Sequence, residues 1–189
     1  MKIFFTSDTH YNHKKIIEYS KRPFEGMKDM EDAMVERWNS VVSPDDLVWH
    51  LGDFAMGPDL REEVTRIRKR LNGRIYLCLG NHDRNKGFYE ACGFDHVSRK
   101  FSGHIHGSAI TDTGPLGRPY RVHISHHPPG KEVQDEHDIC LHGHVHELWQ
   151  FQKPNLINVG VDQWNFTPHT IDEMLAEIDQ EEDVNYGLL

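Results

Sequence analysis

Ile75-Tyr76-Leu77-Cys78-Leu79-Gly80-Asn81-His82-Asp83 passes from five apolar residues straight into a glycine, an amide, an imidazole and a carboxylate. An apolar run of that length, closed by glycine, reads as a strand whose polar sequel lies just beyond its carboxyl end. The same junction recurs four more times. Lys2 to Thr6 leads to Asp8-Thr9-His10, Leu47 to Leu51 leads to Gly52-Asp53, Tyr120 to Ser125 leads to His126-His127-Pro128, and Ile139 to Leu141 leads to His142-Gly143-His144-Val145-His146. A sixth run spans Leu156 to Val159.

Helical patterns separate the runs, which predicts an α/β architecture. Leu60, Val64, Ile67 and Leu71 recur on one helical face, with Asp59 and Glu62 spaced as a capping pair at its start. Met30, Met34, Trp38, Val41 and Val42 make a second apolar face, read as core and ended by Ser43-Pro44-Asp45-Asp46. A third helix is expected after Thr170, with Glu173 at the capping-box spacing. From Phe101 to Ser125 the helical signal gives way to two extended stretches joined by Thr113-Gly114-Pro115-Leu116-Gly117, which reads as a β-hairpin. No linker, repeat or composition break divides the chain, so residues 1–189 are expected to form one domain.

Of 189 residues, 37% are hydrophobic, 10% aromatic and 27% charged, with 15 Gly and 9 Pro, which excludes disordered and collagen-like classes. No apolar run approaches the ~20 residues of a membrane helix. The start, MKIFFTSDTH, meets an acid and a histidine before a signal-peptide core could form, so a cytoplasmic protein without membrane attachment is expected. Cys78, Cys92 and Cys140 are too scattered for a disulfide framework or a thiolate zinc site. Net charge is −9, but Asp172 to Asp183 holds seven acids and no base, which leaves −2 for the rest. That balance gives no basic face for a long polyanion, so a nucleic-acid partner is not favoured.

Fifteen histidines stand out. In an open α/β sheet the carboxyl ends of the strands line the ligand crevice, so five separate stretches can deliver Asp, Asn and His to one place. Oxygen and imidazole donors without thiolate suit divalent Mn, Fe, Co, Ni or Zn better than an all-oxygen Ca or Mg cage. Asp8/His10 and His144/His146 are i, i+2 pairs, which point to one side of an extended segment. Asp8, His10, Asp53, Asn81, His126, His144 and His146 are more ligands than one ion can use, which points to two ions sharing a carboxylate, the arrangement that clamps phosphoryl transfer.

Taken in order, DxH, GD, GNHD, H and GHxH resemble the signature of the calcineurin-like metallophosphoesterase superfamily, from Asp8 to His146. The resemblance implies two packed mixed β-sheets flanked by helices, a four-layer α-β-β-α sandwich. It implies one metal on Asp8, His10, Asp53 and His146, and a second on Asp53, Asn81, His126 and His144, with Asp53 bridging. It implies that a water between the metals is deprotonated and attacks phosphorus in line, while the non-ligand His82 assists the leaving group, and that Asp83 orders the loop holding Asn81 and His82. Gly52-Asp53-Phe54-Ala55-Met56-Gly57 lacks the arginine that the protein-phosphatase branch carries after its GD. A minimal bacterial or phage-type phosphoesterase follows, in which Asn158-Val159-Gly160-Val161-Asp162 also resembles small members of the group.

Other histidines have blander readings. His96, His104, His106, His123, His137 and His169 are read as surface or hydrogen-bonded residues, His50 as packed behind the site, and His127 as outside the ligand set because adjacent strand residues point opposite ways. Arg84, His13 and His127 are candidate substrate contacts, with Lys14 and Arg22 also near the first motif. The expected activity is a two-metal phosphodiesterase on a small phosphoester or nucleotide. The alternatives are a catalytically weak binding scaffold and a nuclease.

Overall fold

Four short strands, β1 (Ile3–Thr6), β2 (Leu47–His50), β3 (Arg74–Cys78) and β4 (His96–Ser98), lie side by side and parallel in that order in the computed structural model, which describes residues 1–105, 119–152 and 154–186, without the side chains of 179–186. An antiparallel bridge between Phe5 and His169 extends this sheet past β1 and makes it mixed. The second sheet contains β5 (Lys100–Ile105), β6 (Tyr120–Ser125), β7 (Ile139–His142), β8 (Phe151–Gln152) and β9 (Leu156–Asn158), in the order β5-β6-β7-β9-β8. Its central pairs β6–β7 and β7–β9 are parallel and its outer pairs antiparallel.

Alternation along the parallel strands sorts the core into two layers. Phe4, Val48, Ile75 and Leu77 pack beneath α2 (Met27–Val41), α3 (Leu60–Arg68) and α4 (Lys86–Ala91), against Met30, Met34, Trp38, Val64, Ile67 and Tyr89. Ile3, Phe5, Leu47 and Trp49 face the other way, onto Val122, Ile124, Leu141 and Ile157 of the second sheet. The Trp49 and Phe101 rings meet across this interface at 5.1 Å. Two mixed sheets therefore pack face to face with helices outside. The helical cover is uneven, because α5 (Lys131–Glu136) buries no residue. Helix α6 (Ile171–Tyr186) closes the side of the sandwich with Ile171, Met174 and Ile178, and Glu177 receives a hydrogen bond from Gln150 at 3.1 Å.

The six apolar runs become β1, β2, β3, β6, β7 and β9, and β5 pairs with β6 as the expected hairpin, whose turn lies outside the described residues. The capping box at α6 forms, Thr170 N donating to Glu173 Oε2 at 2.8 Å and Glu173 N to Thr170 Oγ1 at 3.3 Å. The pair expected at α3 does not. Asp59 precedes the helix in left-handed backbone (φ 49°) rather than the extended backbone usual at an N-cap, and its side chain makes no cap hydrogen bond. Val41 is half-exposed and does not join the face of Met30, Met34 and Trp38. The strands β4 and β8 and the helices α1 (Ile16–Tyr19), α4 and α5 went unread because none is long enough to show a period. No helix among the described residues is long and apolar enough to cross a membrane.

Trp38 anchors α2, at 2% exposure and with its Nε1 donating to Asn72 O at 3.0 Å. Trp38→Ala is expected to lower stability by about 3–5 kcal/mol. The loss should be read as a fall in denaturation midpoint at unchanged slope, and a loss below ~1 kcal/mol would show that α2 does not depend on this contact.

Candidate metal centre

Parallel pairing sets the carboxyl ends of β1, β2 and β3 on one rim, and the packing of the sheets brings the ends of β6 and β7 against it. Asp8 N donates to Gly52 O at 3.0 Å and His10 N to Asp53 O at 3.0 Å, which lock the first two motifs together. Gly143 N donates to His126 O at 2.9 Å within the second sheet. Across the sheets, His144 N donates to Asp8 Oδ2 at 2.9 Å.

The expected ligands converge. Ligand atoms of Asp8, His10 and His146 lie within 4.8 Å of one another, as do those of Asp8, Asp53 and His126. Asp53 Oδ2 sits 3.7 Å from His10 Nε2 and 3.3 Å from His126 Nε2, while Asp53 Oδ1 accepts from His82 N at 2.9 Å. Asn81 Oδ1 is 3.0 Å from His126 Nε2, and the His126 and His144 rings are 5.2 Å apart. The i, i+2 pairs achieve this differently from the extended-segment expectation. Asp8, His10, Asp53, His144 and His146 all have left-handed φ, between 47° and 72°, so tight turns beyond the strands aim the side chains.

His127 lies beside the centre, although strand alternation would turn it away. Residues 126 and 127 lie past the end of β6, where strand alternation no longer separates them. The ligand atoms of His126, His127 and His144 fall within 4.8 Å, and the His127 ring is 4.2 Å from that of His144. His82 and His13 line a cavity of about 560 Å³ together with His10, His144 and His146. Arg84 is not brought there; it lines a separate hollow beside Arg61 and Phe88. Lys14 is exposed and away from that lining. Away from the centre, His123 bonds Ser102, His137 the Val133 carbonyl and His169 the Thr167 carbonyl, while His96 and His104 are exposed on β4 and β5. His106 lies outside the described residues.

Close packing explains the glycines of the motifs. A Cβ at Gly143 would overlap Ser7 Oγ and Asp8 Oδ2, and one at Gly80 would overlap Asp53 Oδ1. Asp83 holds both loops, its Oδ2 accepting from Asp53 N and Gly80 N at 2.8 Å each, and its Oδ1 from Phe54 N at 3.1 Å and Tyr89 OH at 2.6 Å. His50 is fully buried, and burial pushes its pKa down to about 3. As a neutral ring it accepts from Gly52 N at 3.3 Å and donates to Thr9 Oγ1 at 2.9 Å, which donates to Phe54 O at 2.8 Å.

Two residues behind the centre carried weak local signals. Arg22 is not a phosphate contact but a buried clamp: its Nη2 donates to Asp8 O at 2.7 Å and its Nη1 to Thr9 O at 2.9 Å. Its Nε and Nη2 grip Asp162 at 2.8 and 3.0 Å, and Asp162 Oδ2 lies 3.2 Å from His146 Nδ1. Such a carboxylate–histidine pair fixes the ring and leaves Nε2 for a cation. Asp162 was reachable only through the Asn158 to Asp162 resemblance. Asn158 serves beside it, donating to His146 O and Trp149 O at 2.8 Å each.

Burial raises the Asp8 pKa and lowers that of His10 to about 2. Burial would also raise Asp53, but the hydrogen bond and charge of His126 hold it below the usual carboxylate range. Conversely, burial disfavours charge on His126, yet its hydrogen bond to Asp53 and the Asp8 carboxylate raise it to about 9. The centre thus calls for positive charge. Asp8 Oδ1 and both His10 ring nitrogens are buried without a hydrogen-bond partner, and the donors are oxygen and imidazole throughout, with all three cysteines buried and free. This donor set fits divalent metal ions.

A comparison with known families matches residues 1–181 to the calcineurin-like phosphoesterase superfamily domain. The chain is 29% identical over 185 residues to the uncharacterized protein MJ1445 of Methanocaldococcus jannaschii, covering 95% of this chain and 92% of that one. It is 32% identical over 183 residues to the gene 66 protein of Mycobacterium phage D29, covering 86% and 89%. Among solved structures, a protein of unknown function, AQ665 from Aquifex aeolicus, superposes with a TM-score of 0.66 at 27% identity, covering 95% of this chain and 98% of that one. With its motifs converging at one rim and its matched length running from residue 1 to 181, the chain belongs to the calcineurin-like phosphoesterase superfamily.

Proposed function

We propose that this metal-dependent phosphoesterase uses two divalent ions and hydrolyses small or nucleotide-type phosphodiesters. The observation that carries the reading is Asp53 Oδ2, 3.7 Å from His10 Nε2 on one side and 3.3 Å from His126 Nε2 on the other, which supports a carboxylate shared by two sites. Asp8, His10 and His146 complete the first site, and Asn81, His126 and His144 the second. Paired divalent ions, drawn from Mn, Fe, Co, Ni and Zn, supply Lewis acidity and bring the pKa of water near neutrality when bound.

The chain's own residues supply orientation and the proton. Arg22 and Asp162 hold Asp8 and His146 in place, and Asp83 holds the Asp53 and Asn81 loops. His82 has its backbone fixed on Asp53 Oδ1 while its exposed ring borders the cavity, a place from which it can protonate the departing oxygen. The cavity has no lysine or arginine among its described lining residues. A dianionic monoester asks for positive charge beyond the metals, whereas a monoanionic diester asks for less, so the diester is preferred.

The substrate reading is tested with protein loaded with Mn, Ni or Zn and assayed on a diester and a monoester of matched leaving group, and on long DNA. The diester should give the higher kcat/KM. A clearly faster monoester overturns the preference, and a DNA rate that dominates and falls steeply with salt makes the protein a nuclease.

Elemental analysis of metal-loaded protein should find two ions per chain. Asp53→Asn should lower occupancy of both sites and cost more activity than Asp8→Asn, whereas equal small losses would remove the bridge. His82→Ala should keep the metal content while kcat falls by roughly two to four orders of magnitude. Loss of metal in that variant would make His82 a ligand.

A further inference from the structure

The cavity that opens onto the metal centre has two unlike parts. One is the imidazole cluster of His10, His82, His144 and His146. The other is apolar, formed by Ile16, Tyr19, Met56, Val145 and Leu148. Tyr19 is 63% exposed and Leu148 73%, the two most exposed large hydrophobic side chains among the described residues. Both stand at this one cavity. Isolated exposed apolar residues need no explanation, but a cluster continuous with a polar site marks a ligand surface.

Continuity with the centre is direct. The Tyr19 ring meets the His13 ring edge-on at 6.3 Å, and the His13 ring meets that of His10 at 5.4 Å. Charge narrows the occupant further. Glu147 is the one residue of fixed charge among the described lining residues, and it is negative. A second phosphate, or the backbone of a nucleic-acid strand, would meet repulsion there rather than a partner. A neutral, flat group would meet a tyrosine face and aliphatic side chains.

We infer that Tyr19 and Leu148 form the specificity subsite of this cavity, and that its occupant is a planar aromatic group carried by a substrate with a single phosphate. The inference rests on the phosphoesterase reading and names the substrate class for it. A nucleobase and a simple aryl group share this chemistry. The phosphate lies at the imidazole cluster, and the aromatic group extends over Tyr19 toward Leu148.

Calorimetric titration of the manganese-loaded protein with methylphosphonate, phenylphosphonate and adenosine 5′-monophosphate tests this without turnover. Phenylphosphonate should bind about tenfold more tightly than methylphosphonate, and the nucleotide at least as tightly as phenylphosphonate if the group is a base. In Tyr19→Ser and Leu148→Ser the phenyl-to-methyl ratio should fall toward one. Both positions lie at the surface, so folding is not at stake, and any difference in ionisation between the phosphonates cancels between wild type and variant. Equal affinity of the two phosphonates for the wild type would overturn the subsite while leaving the phosphoesterase reading standing. Binding of neither would overturn the subsite; the phosphoesterase reading itself falls only if the metal-loaded protein also turns over neither the diester nor the monoester of the preceding assay. Equal affinity together with a dimer that the two substitutions dissociate would assign the apolar face to a second copy of the chain instead.

Discussion

Two carboxylates, Asp8 at 0% and Asp53 at 1% exposure, are buried at the ends of neighbouring parallel strands, and the architecture around them answers that burial. A carboxylate taken out of water loses several kcal/mol unless donors or cations replace its hydration. The first sheet supplies part of the shell, His82 N donating to Asp53 Oδ1 at 2.9 Å. The second sheet completes the shell: His144 N reaches Asp8 Oδ2, and the His126 ring reaches Asp53 Oδ2. The face-to-face packing therefore brings donors to both carboxylates; it holds Asp53 as an anion, while burial still raises the Asp8 pKa.

Holding them there requires backbone that most residues avoid. Five of the seven candidate ligands adopt left-handed φ, where a side chain is disfavoured by roughly 1 kcal/mol or more. Each such turn is tied from behind. Arg22 binds the Asp8 and Thr9 carbonyls, Asp83 binds the Asp53 and Phe54 amides, and Asn158 binds the His146 carbonyl. Half of the described non-glycine residues with left-handed φ are these ligands, and the groups that tie them lie outside the cavity lining. The motif glycines belong to the same solution, since Gly80 and Gly143 leave room for the carboxylates themselves.

This division explains what could be read from the chain. The junctions were legible because apolar run and polar sequel are contiguous, as at Leu79-Gly80-Asn81. The convergence of the ligands was legible only through their order along the chain, since no local pattern says that residue 8 meets residue 144. The clamp made by Arg22 was hidden because its partner Asp162 lies 140 positions away, and an arginine's burial cannot be seen in its neighbours. The nearness of His127 to His144 was hidden because strand alternation ends at Ser125, before residues 126 and 127. Asp59 illustrates the same limit: the capping spacing was present, but the backbone before α3 is left-handed and the side chain makes no cap hydrogen bond.

The apolar interface between the sheets holds the two halves of the centre against each other. Ile3, Phe5, Trp49, Val122, Ile124, Leu141 and Ile157 are all nearly solvent-free there, and burial on that scale docks the sheets without help from the rim. In small zinc domains the metal supplies the folding energy and the ligands are scattered without it. Here the sheets have a large apolar interface of their own, and His126 is seated by a 2.8 Å contact between its Nδ1 and Leu51 O, and His146 by Asp162. The groups that face Asp8 and Asp53 are thus held by hydrogen bonds from the chain itself, Leu51 O on His126 and Asp162 on His146.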